Sequence, residues 1–294
     1  MIVLSEASPQ LPDSASLRDI QRATEAARFA GCQVYSIVQD LPEGISMDDA
    51  MWHIPSQPHP TPAIWIGYIP LPAHYETVYQ AALAKNIRFL NTPAEFRRAE
   101  EFDQFYPFIA DLTAKSFVTS SVTECLNAAE ILSYPVFLKG TIQSLKADGP
   151  SACIAHNPEQ LSAISSRLLQ HQRRSLGKVI VRSLIHLRHV RKSPQGFPLG
   201  REYRIFVCHS QIVGMGYYWE GDDALTDLSA SERTHLESLA IQVSQRLQVP
   251  YIAIDIGQTS DGEWIVIEVG DGQFSGLSQV PIHALWSALV NAYA

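Results

Sequence analysis

Asp255 and Glu268 are two carboxylates whose spacing could do chemistry. They lie in YIAIDIGQTSDGEWIVIEVGDGQFSGL, residues 251–277, where two runs rich in Ile and Val flank Asp261-Gly262. Such a pattern is a strong signal for a β-hairpin with a two-residue turn. With that turn, Ser260 pairs with Glu263, opposed residue numbers sum to 523, and Asp255 falls opposite Glu268. One face then carries Ile252, Ile254, Ile256, Ile265, Ile267 and Val269, and the other carries both acids. Opposed side chains have Cβ atoms about 5 Å apart, so two carboxylates repel unless a cation or proton lies between them. A shared Mg²⁺ would satisfy both, because hard cations take carboxylate oxygens and a phosphate can supply the rest. The plainer alternative is a solvated strand face. Gly270-Asp271-Gly272-Gln273-Phe274-Ser275-Gly276 follows, adding a third carboxylate, Asp271, and glycines that let backbone approach a ligand closely.

The elements that must hold these residues can be read in chain order. Residues 1–100 alternate strand and helix: strands at 2–4, 33–38, 63–69 and 87–90, helices at 16–30 and 74–85, and a Pro-rich loop at 54–62. That alternation predicts a small α/β unit with a parallel sheet and no glycine-rich phosphate loop. Thr92-Pro93-Ala94-Glu95 starts a helix expected to run over 93–113 and lead out of this first unit. Residues 101–185 form a second unit, of α+β type. Its parts are a capped helix from Ser121, a strand 136–140 ending in Lys139-Gly140, a loop with Lys146, Asp148 and Gly149, a helix from Asn157 and a strand 178–185.

Residues 186–294 make the third unit. It opens with HLRHVRKSPQGFPLGR, where a solvated loop and an anion-binding rim both fit Arg188, Arg191, Lys192 and Arg201. A hairpin around His209-Ser210 puts Glu202 and Arg204 on one face, and an amphipathic helix over 227–247 leads into the 251–277 hairpin. A final helix covers 282–293.

Composition narrows the function classes. The 294 residues are 46% hydrophobic and 18% charged, as in an ordinary globular protein, and carry a formal charge of −8 with a pI near 5.7. That balance speaks against nucleic acid or an anionic membrane as the main partner. Cys32, Cys125, Cys153 and Cys208 are far apart and form no metal spacing. With no signal-peptide start and no membrane-length apolar run, a soluble cytoplasmic chain is the expectation. None of the ten histidines lies in a nucleophile motif.

Taken in order, Tyr-Pro-Val-Phe-Leu-Lys139, the loop with Lys146 and Gly149, the strand ending near Arg182, Arg-Glu202-Tyr-Arg204, Asp255, and Glu268 followed by Gly-Asp-Gly-Gln-x-Ser-Gly-Leu resemble the ATP-grasp superfamily. The resemblance is nearest to its bacterial and phage-associated members ending in Asp-Gly-Gln-x-Ser-Gly-Leu, and it covers roughly 92–280. It implies an α/β N-terminal domain followed by an α+β ATP-grasp fold of two subdomains, with ATP between them. Lys139 would touch the phosphates, Lys146 would close over them, Glu202 would accept from the ribose, and Asp255 and Glu268 would hold Mg²⁺. Arg182 and Arg204 would clamp the transferred phosphate or a substrate carboxylate, and backbone near 182–185 would read adenine. Two departures stand out. Gly270 replaces the Asn that many relatives place two positions after the second acid, leaving Asp271 as its candidate substitute, and no acidic residue follows Arg182 near the adenine position.

The activity this implies is an ATP-dependent ligase that joins a carboxylate to an amine through an acyl phosphate, on small-molecule or peptide substrates. A phosphotransferase and a non-catalytic nucleotide-binding protein are the alternatives, and the oligomeric state is left open.

Overall fold

The computed structural model describes residues 1–7, 14–41 and 44–293. β1 (Ile2–Ser5), β2 (Gln33–Ser36), β3 (Thr61–Ile66) and β4 (Ile87–Phe89) form a parallel sheet in the order β2-β1-β3-β4. Of its two inner strands, β1 is buried throughout, as a strand covered on both faces should be. Around the sheet lie α1 (Ala15–Phe29), the single turn α2 (Met47–Ala50), which the sequence pattern does not announce, and α3 (Pro72–Ala84). Ser14 caps α1 by accepting from Leu17 N, and Leu17, Ile20, Ala23 and Ala27 form its buried stripe.

The helix expected over 93–113 is two helices, α4 (Pro93–Glu100) and α5 (Phe102–Ile109), broken at Glu101, whose backbone is extended (φ −88°, ψ 117°). The break frees Phe102 N to donate to Thr141 O at 3.0 Å, which fastens the end of the next sheet's central strand to the helix pair. Thr92 and Glu95 complete a capping box at the start of α4.

The second sheet is antiparallel. It contains β5 (Ser116–Thr119), β6 (Val136–Gly140), β7 (Ile154–Ala155) and β8 (Val179–Ser183), in the order β5-β8-β6-β7. Its helices are α6 (Val122–Leu132), α7 (Pro158–Gln170) and the short α8 (Gln172–Ser175); α6 and α7 pack through Cys125, Ala129, Leu161 and Leu168 onto Leu138 and Val181. Two 3-10 turns, Lys146–Asp148 and Pro150–Ala152, occupy the predicted loop.

The basic stretch is not a loop throughout, although Arg188 and Lys192 within it are exposed. It folds as a hairpin of β9 (His189–Lys192) and β10 (Pro198–Gly200), and two of its arginines are spent on the protein. Arg191 pairs with Asp223 at 2.7 Å, while Arg201 reaches Glu232, the carbonyls of Leu225 and Asp227, and Gln258.

The third sheet, β12-β11-β13-β14, is built from β11 (Glu202–Cys208), β12 (Gln211–Tyr217), β13 (Tyr251–Gln258) and β14 (Trp264–Asp271). One face packs on α9 (Ala230–Leu247) through Ile205, Ile252, Ile254, Ile256, Val266 and Val269. At one end of the other face, Phe206, Tyr251 and Ala253 share a core with Ile20 and Ile64 of the first unit and with Leu285 of α10 (Ile282–Asn291). Among the described residues no helix is long and apolar enough to cross a membrane.

The β13–β14 hairpin departs from its expected turn. Gly262 N donates to Thr259 O and Thr259 N to Glu263 O, which makes a three-residue loop with Gly262 at φ +97°. Pairs near the loop, such as Ile256 with Val266, therefore sum to one less than expected. A bulge between Asp255 and Ile256 adds one residue on β14 and restores Asp255 opposite Glu268. The bulge also changes which side chains face inward: Val266 joins the core, while Ile265 and Ile267 stay half-buried outside it.

Candidate active site

Asp255 is the middle of a three-strand row. It pairs with Arg204 on β11 and with Glu268 on β14, so one guanidinium and two carboxylates share a sheet face. Arg204 holds Asp255 bidentately, Nε to Oδ1 at 2.8 Å and Nη2 to Oδ2 at 2.7 Å, and donates from Nη1 to Gly276 O at 2.8 Å. Burial alone would lower the Arg204 pKa, but Asp255 and its neighbours raise it well above the ordinary value. Lys139, from the end of β6, donates to Glu268 Oε1 across the gap between the two sheets. Burial would raise the Glu268 carboxyl, yet Lys139 and Lys146 bring it down to about 2. Each acid therefore has its own cation.

A cavity of about 620 Å³ opens over this row, with Lys146, Arg204, Asp255 and Glu268 in its wall. It continues past Gly270 and Gly276 to Asp19 on α1 and Tyr68 beyond β3. Lys146 Nζ lies 5.2 Å from the ring centre of Tyr218 and 5.5 Å from that of Trp219, and the Arg204 guanidinium lies 4.7 Å from that of Tyr218. Burial works against the Lys146 charge, but Tyr218, Glu202, Glu268 and Asp255 reverse this and raise its pKa. Glu202, 4% exposed, accepts from Trp219 Nε1 at 3.1 Å; burial raises its pKa and Lys146 opposes the shift.

Lys139, Lys146, Glu202, Arg204, Asp255 and Glu268 are thus brought together. Arg182 and Asp271 are not. Arg182 is buried under β14, where it donates to Ile267 O at 2.7 Å, to Val266 O at 3.3 Å and to Thr113 Oγ1, so its fork is filled by the bulge rather than open to a phosphate. Burial lowers its pKa to about 10 against the pull of Glu268. Asp271 pairs with Ile252, on the opposite sheet face from Glu268, because three residues along a strand reverse the side-chain direction. It is fully buried, its Oδ1 accepts from Gln273 N at 2.9 Å, and burial raises its pKa to about 7.

The loop after Glu268 is a plug into the first unit as much as a site. Gln273 Oε1 accepts from Trp65 N at 3.0 Å, its Nε2 donates to Tyr75 Oη at 3.0 Å, and Phe274 meets the Trp65 ring edge-on at 5.2 Å. Of the 182–185 stretch expected to read adenine, Ser183 N already donates to Lys115 O.

The sequence pattern missed Tyr218, Trp219 and Glu100. The first two could have been placed by their distance from Glu202 along the β11–β12 hairpin. Glu100 reads in the sequence as an ordinary helix-end acid, and only the cavity distinguishes it. It is 5% exposed and lines the cavity, and burial, then Asp271, push its carboxyl up to about 8.

The donor set suits Mg²⁺ on one condition. Asp255 and Glu268 are carboxylates on one face, but no three His, Cys, Asp or Glu among the described residues are gathered closely enough to hold a metal unaided. Mg²⁺ binding by one or two carboxylates plus substrate phosphates is the arrangement they fit.

A family model for an ATP-grasp domain, the third family of its clade, matches residues 83–289. The chain belongs to that ATP-grasp family. The ATP-grasp chain is also similar in fold to solved structures that share little sequence with it. One is a RimK domain protein ATP-grasp from Sphaerobacter thermophilus DSM 20745, at 15% identity and a TM-score of 0.62, covering 99% of this chain and 98% of that one. Another is D-cycloserine synthetase DcsG, at 11% identity and a TM-score of 0.62, covering 100% and 99%. The ATP-grasp ligase PsnB, complexed with minimal precursor, Mg and ADP, matches at 13% identity and a TM-score of 0.59, covering 99% and 97%. No curated protein sequence matches this one.

Proposed function

We propose that this ATP-grasp protein is an Mg-ATP-dependent ligase that joins a carboxylate to an amine through an acyl phosphate. The observation that carries the proposal is the pairing across the cavity wall: Asp255 bonded by Arg204, and Glu268 facing it and bonded by Lys139. Two acids and two cations so arranged can exchange partners. Lys139 and Arg204 turn to the phosphate and acyl oxygens of bound substrates, and Asp255 and Glu268 are freed for a cation that the nucleotide brings.

Bound Mg²⁺ would be held by Asp255 and Glu268 and would neutralise charge on the phosphates. Lys146, with its pKa raised by the surrounding negative groups, stays charged and closes on the phosphates as a point charge. Glu202 keeps one strongly accepting carboxylate for the ribose hydroxyls. Arg204 also bonds Gly276 O, so it ties the phosphate end of the site to the glycine-rich loop where the acyl group would lie. The acid oxygen attacks the γ-phosphorus and the bond to ADP breaks. The amine nitrogen then attacks the acyl carbon, loses a proton, and phosphate leaves. The cavity's extension to Asp19 and Tyr68 leaves room for an acid and an amine together, as small molecules or the end of a peptide. A peptide partner agrees with PsnB, whose structures hold its precursor.

The test is MgATP turnover against mixed pools of amino acids and short peptides, with mass spectrometry of the products. ADP, phosphate and a condensed product that appears only with both substrates is the expected result. ADP with a stable phosphorylated acceptor would make the protein a phosphotransferase, and no ADP under any condition would make it a non-catalytic binder.

A further inference from the structure

The far end of the cavity holds an acid that the Asp255–Glu268 row does not use. Asp19 stands on α1 and lines the cavity with Ile20 and Ala23 of the same helix and Ile66 of β3. No described residue donates a hydrogen bond to its carboxylate. Its ion-pair partner is Arg22, one turn along the helix, whose guanidinium stays 3.8 Å from Oδ1 and whose side chain is 58% exposed. A pair so exposed contributes little, and it leaves Oδ2 uncommitted. Burial raises the Asp19 carboxyl, Arg22 opposes the shift, and Glu220 adds to it. A half-buried carboxylate placed like this gains from a cation arriving in the cavity.

Gly276 shows where that cation would sit. A Cβ built on Gly276 would lie 3.3 Å from Asp19 Oδ2 and 3.6 Å from Arg204 Nη1, and no other described atom outside the adjoining residues comes within 4 Å. The missing side chain therefore leaves an open notch with an acid on one wall and a guanidinium on the other. A guanidinium has five N–H donors. Arg204 spends three, two on Asp255 and one on Gly276 O, so two remain. The uncommitted oxygen and the spare N–H groups belong to different elements, α1 and β11, and converge on one space. A ligand that satisfies both must carry an ammonium and a carboxylate close together.

We propose that the acid substrate is a free amino acid, its ammonium held by Asp19 and its carboxylate presented to Arg204 at the Gly276 notch. This rests on the ligase reading of the site. The carboxylate then meets the guanidinium that also holds Asp255, and Ile20, Ala23 and Ile66 are left for the side chain. A simple carboxylic acid leaves Asp19 without its partner, and a peptide's terminal carboxylate has no ammonium one carbon away. Sites built around a polar contact strongly reject analogues that lack the partner group.

Hydroxylamine, used in place of the amine, traps an acyl phosphate as a hydroxamate and so reads the acid substrate alone. With MgATP and the full chain, the common amino acids are supplied one by one as racemates, each beside the carboxylic acid that lacks its amino group. A pool of tripeptides is a further arm. The wild type should give hydroxamate from at least one amino acid, at a kcat/KM about 100-fold above that of its des-amino partner, and Asp19→Asn should cut that ratio to below about 10. The ratio is indifferent to how much of the variant folds. Equal use of an amino acid and its partner by the wild type overturns the inference. So does a ratio that Asp19→Asn leaves unchanged, which is what a merely structural Asp19 would give. Hydroxamate from the tripeptides but from no amino acid overturns it and leaves the ligase reading standing, and none from any acid overturns both.

Discussion

Arg182 Nη1 donates to the carbonyl of Ile267 at 2.7 Å, and that carbonyl belongs to the peptide whose nitrogen is Glu268's. A side chain of the second sheet therefore holds the bulge that turns Glu268 toward Asp255. Because its nitrogens serve Ile267, Val266 and Thr113 together, only a planar fork can meet them all. Arg182→Lys keeps the charge and loses the fork. It should cost about 2–3 kcal/mol in urea unfolding, because buried acceptors are left unpaired. It should also shrink the melting-temperature rise given by MgATP. An unchanged MgATP shift would mean that the bulge holds itself.

That bulge also shows how far the sequence could be read. The Asp255–Glu268 pairing follows from an Asp-Gly turn between two apolar runs. The turn in the structure has three residues rather than two, and the bulge adds one residue back. Two local departures cancel at the acids but not beyond them, so Val266 rather than Ile265 and Ile267 enters the core. Alternation along a strand can be read from the sequence; a bulge held by a distant arginine cannot. Asp271 fails for the same reason of parity, since proximity in sequence suggested a ligand and the strand turned it to the other face. The segment 93–113 was legible as helix, but its break at Glu101 goes with a hydrogen bond from Phe102 to Thr141, a partner in another unit that no local pattern announces.

Glu6 gives the fold a pH dependence away from the Asp255–Glu268 row, behind Tyr68 at the far end of the cavity. It is 2% exposed at the end of β1, accepting from Trp65 Nε1 at 2.9 Å and Tyr68 N at 3.1 Å, and burial raises its carboxyl to about 7. A raised folded pKa means that the folded chain binds more protons than the unfolded chain between about 4.5 and 7. Stability is then fullest below that window and is lost as pH rises through it. Melting curves of the wild type and Glu6→Gln should diverge across this range, the variant losing less, by no more than about 3 kcal/mol. Parallel curves would show that Glu6 is ionised at both ends.

Gly140 follows Lys139 where β6 passes α8. A Cβ there would lie 2.2 Å from Arg174 O and 2.6 Å from Arg174 C, both backbone atoms that cannot swing aside. Gly140→Ala should destabilise by about 1–3 kcal/mol, as overpacking does, and should weaken ATP binding by displacing Lys139. Calorimetry of the folded variant at low temperature separates the two effects; wild-type affinity in a destabilised variant would show that Lys139 does not depend on this packing.

Lys139 and Glu268 give the sharpest test of the exchange of partners, because removing either leaves the other informative. Lys139 is 6% exposed at its side chain and Glu268 30%, so their bond is partly screened by water entering the cavity. In Lys139→Met the nucleotide-free chain loses the cation beside Glu268 and should fall by about 1–2 kcal/mol, less than a fully buried broken pair costs. Mg²⁺ alone should then stabilise Lys139→Met more than the wild type, since no ammonium competes for the carboxylate. In Glu268→Gln, Mg²⁺ alone should do nothing, and MgATP should raise the melting temperature far less than in the wild type, by mass action on the folded state. Equal Mg²⁺ effects in Lys139→Met and the wild type would show that the ammonium and the metal do not share Glu268, and the exchange would have to run through Asp255 and Arg204 instead.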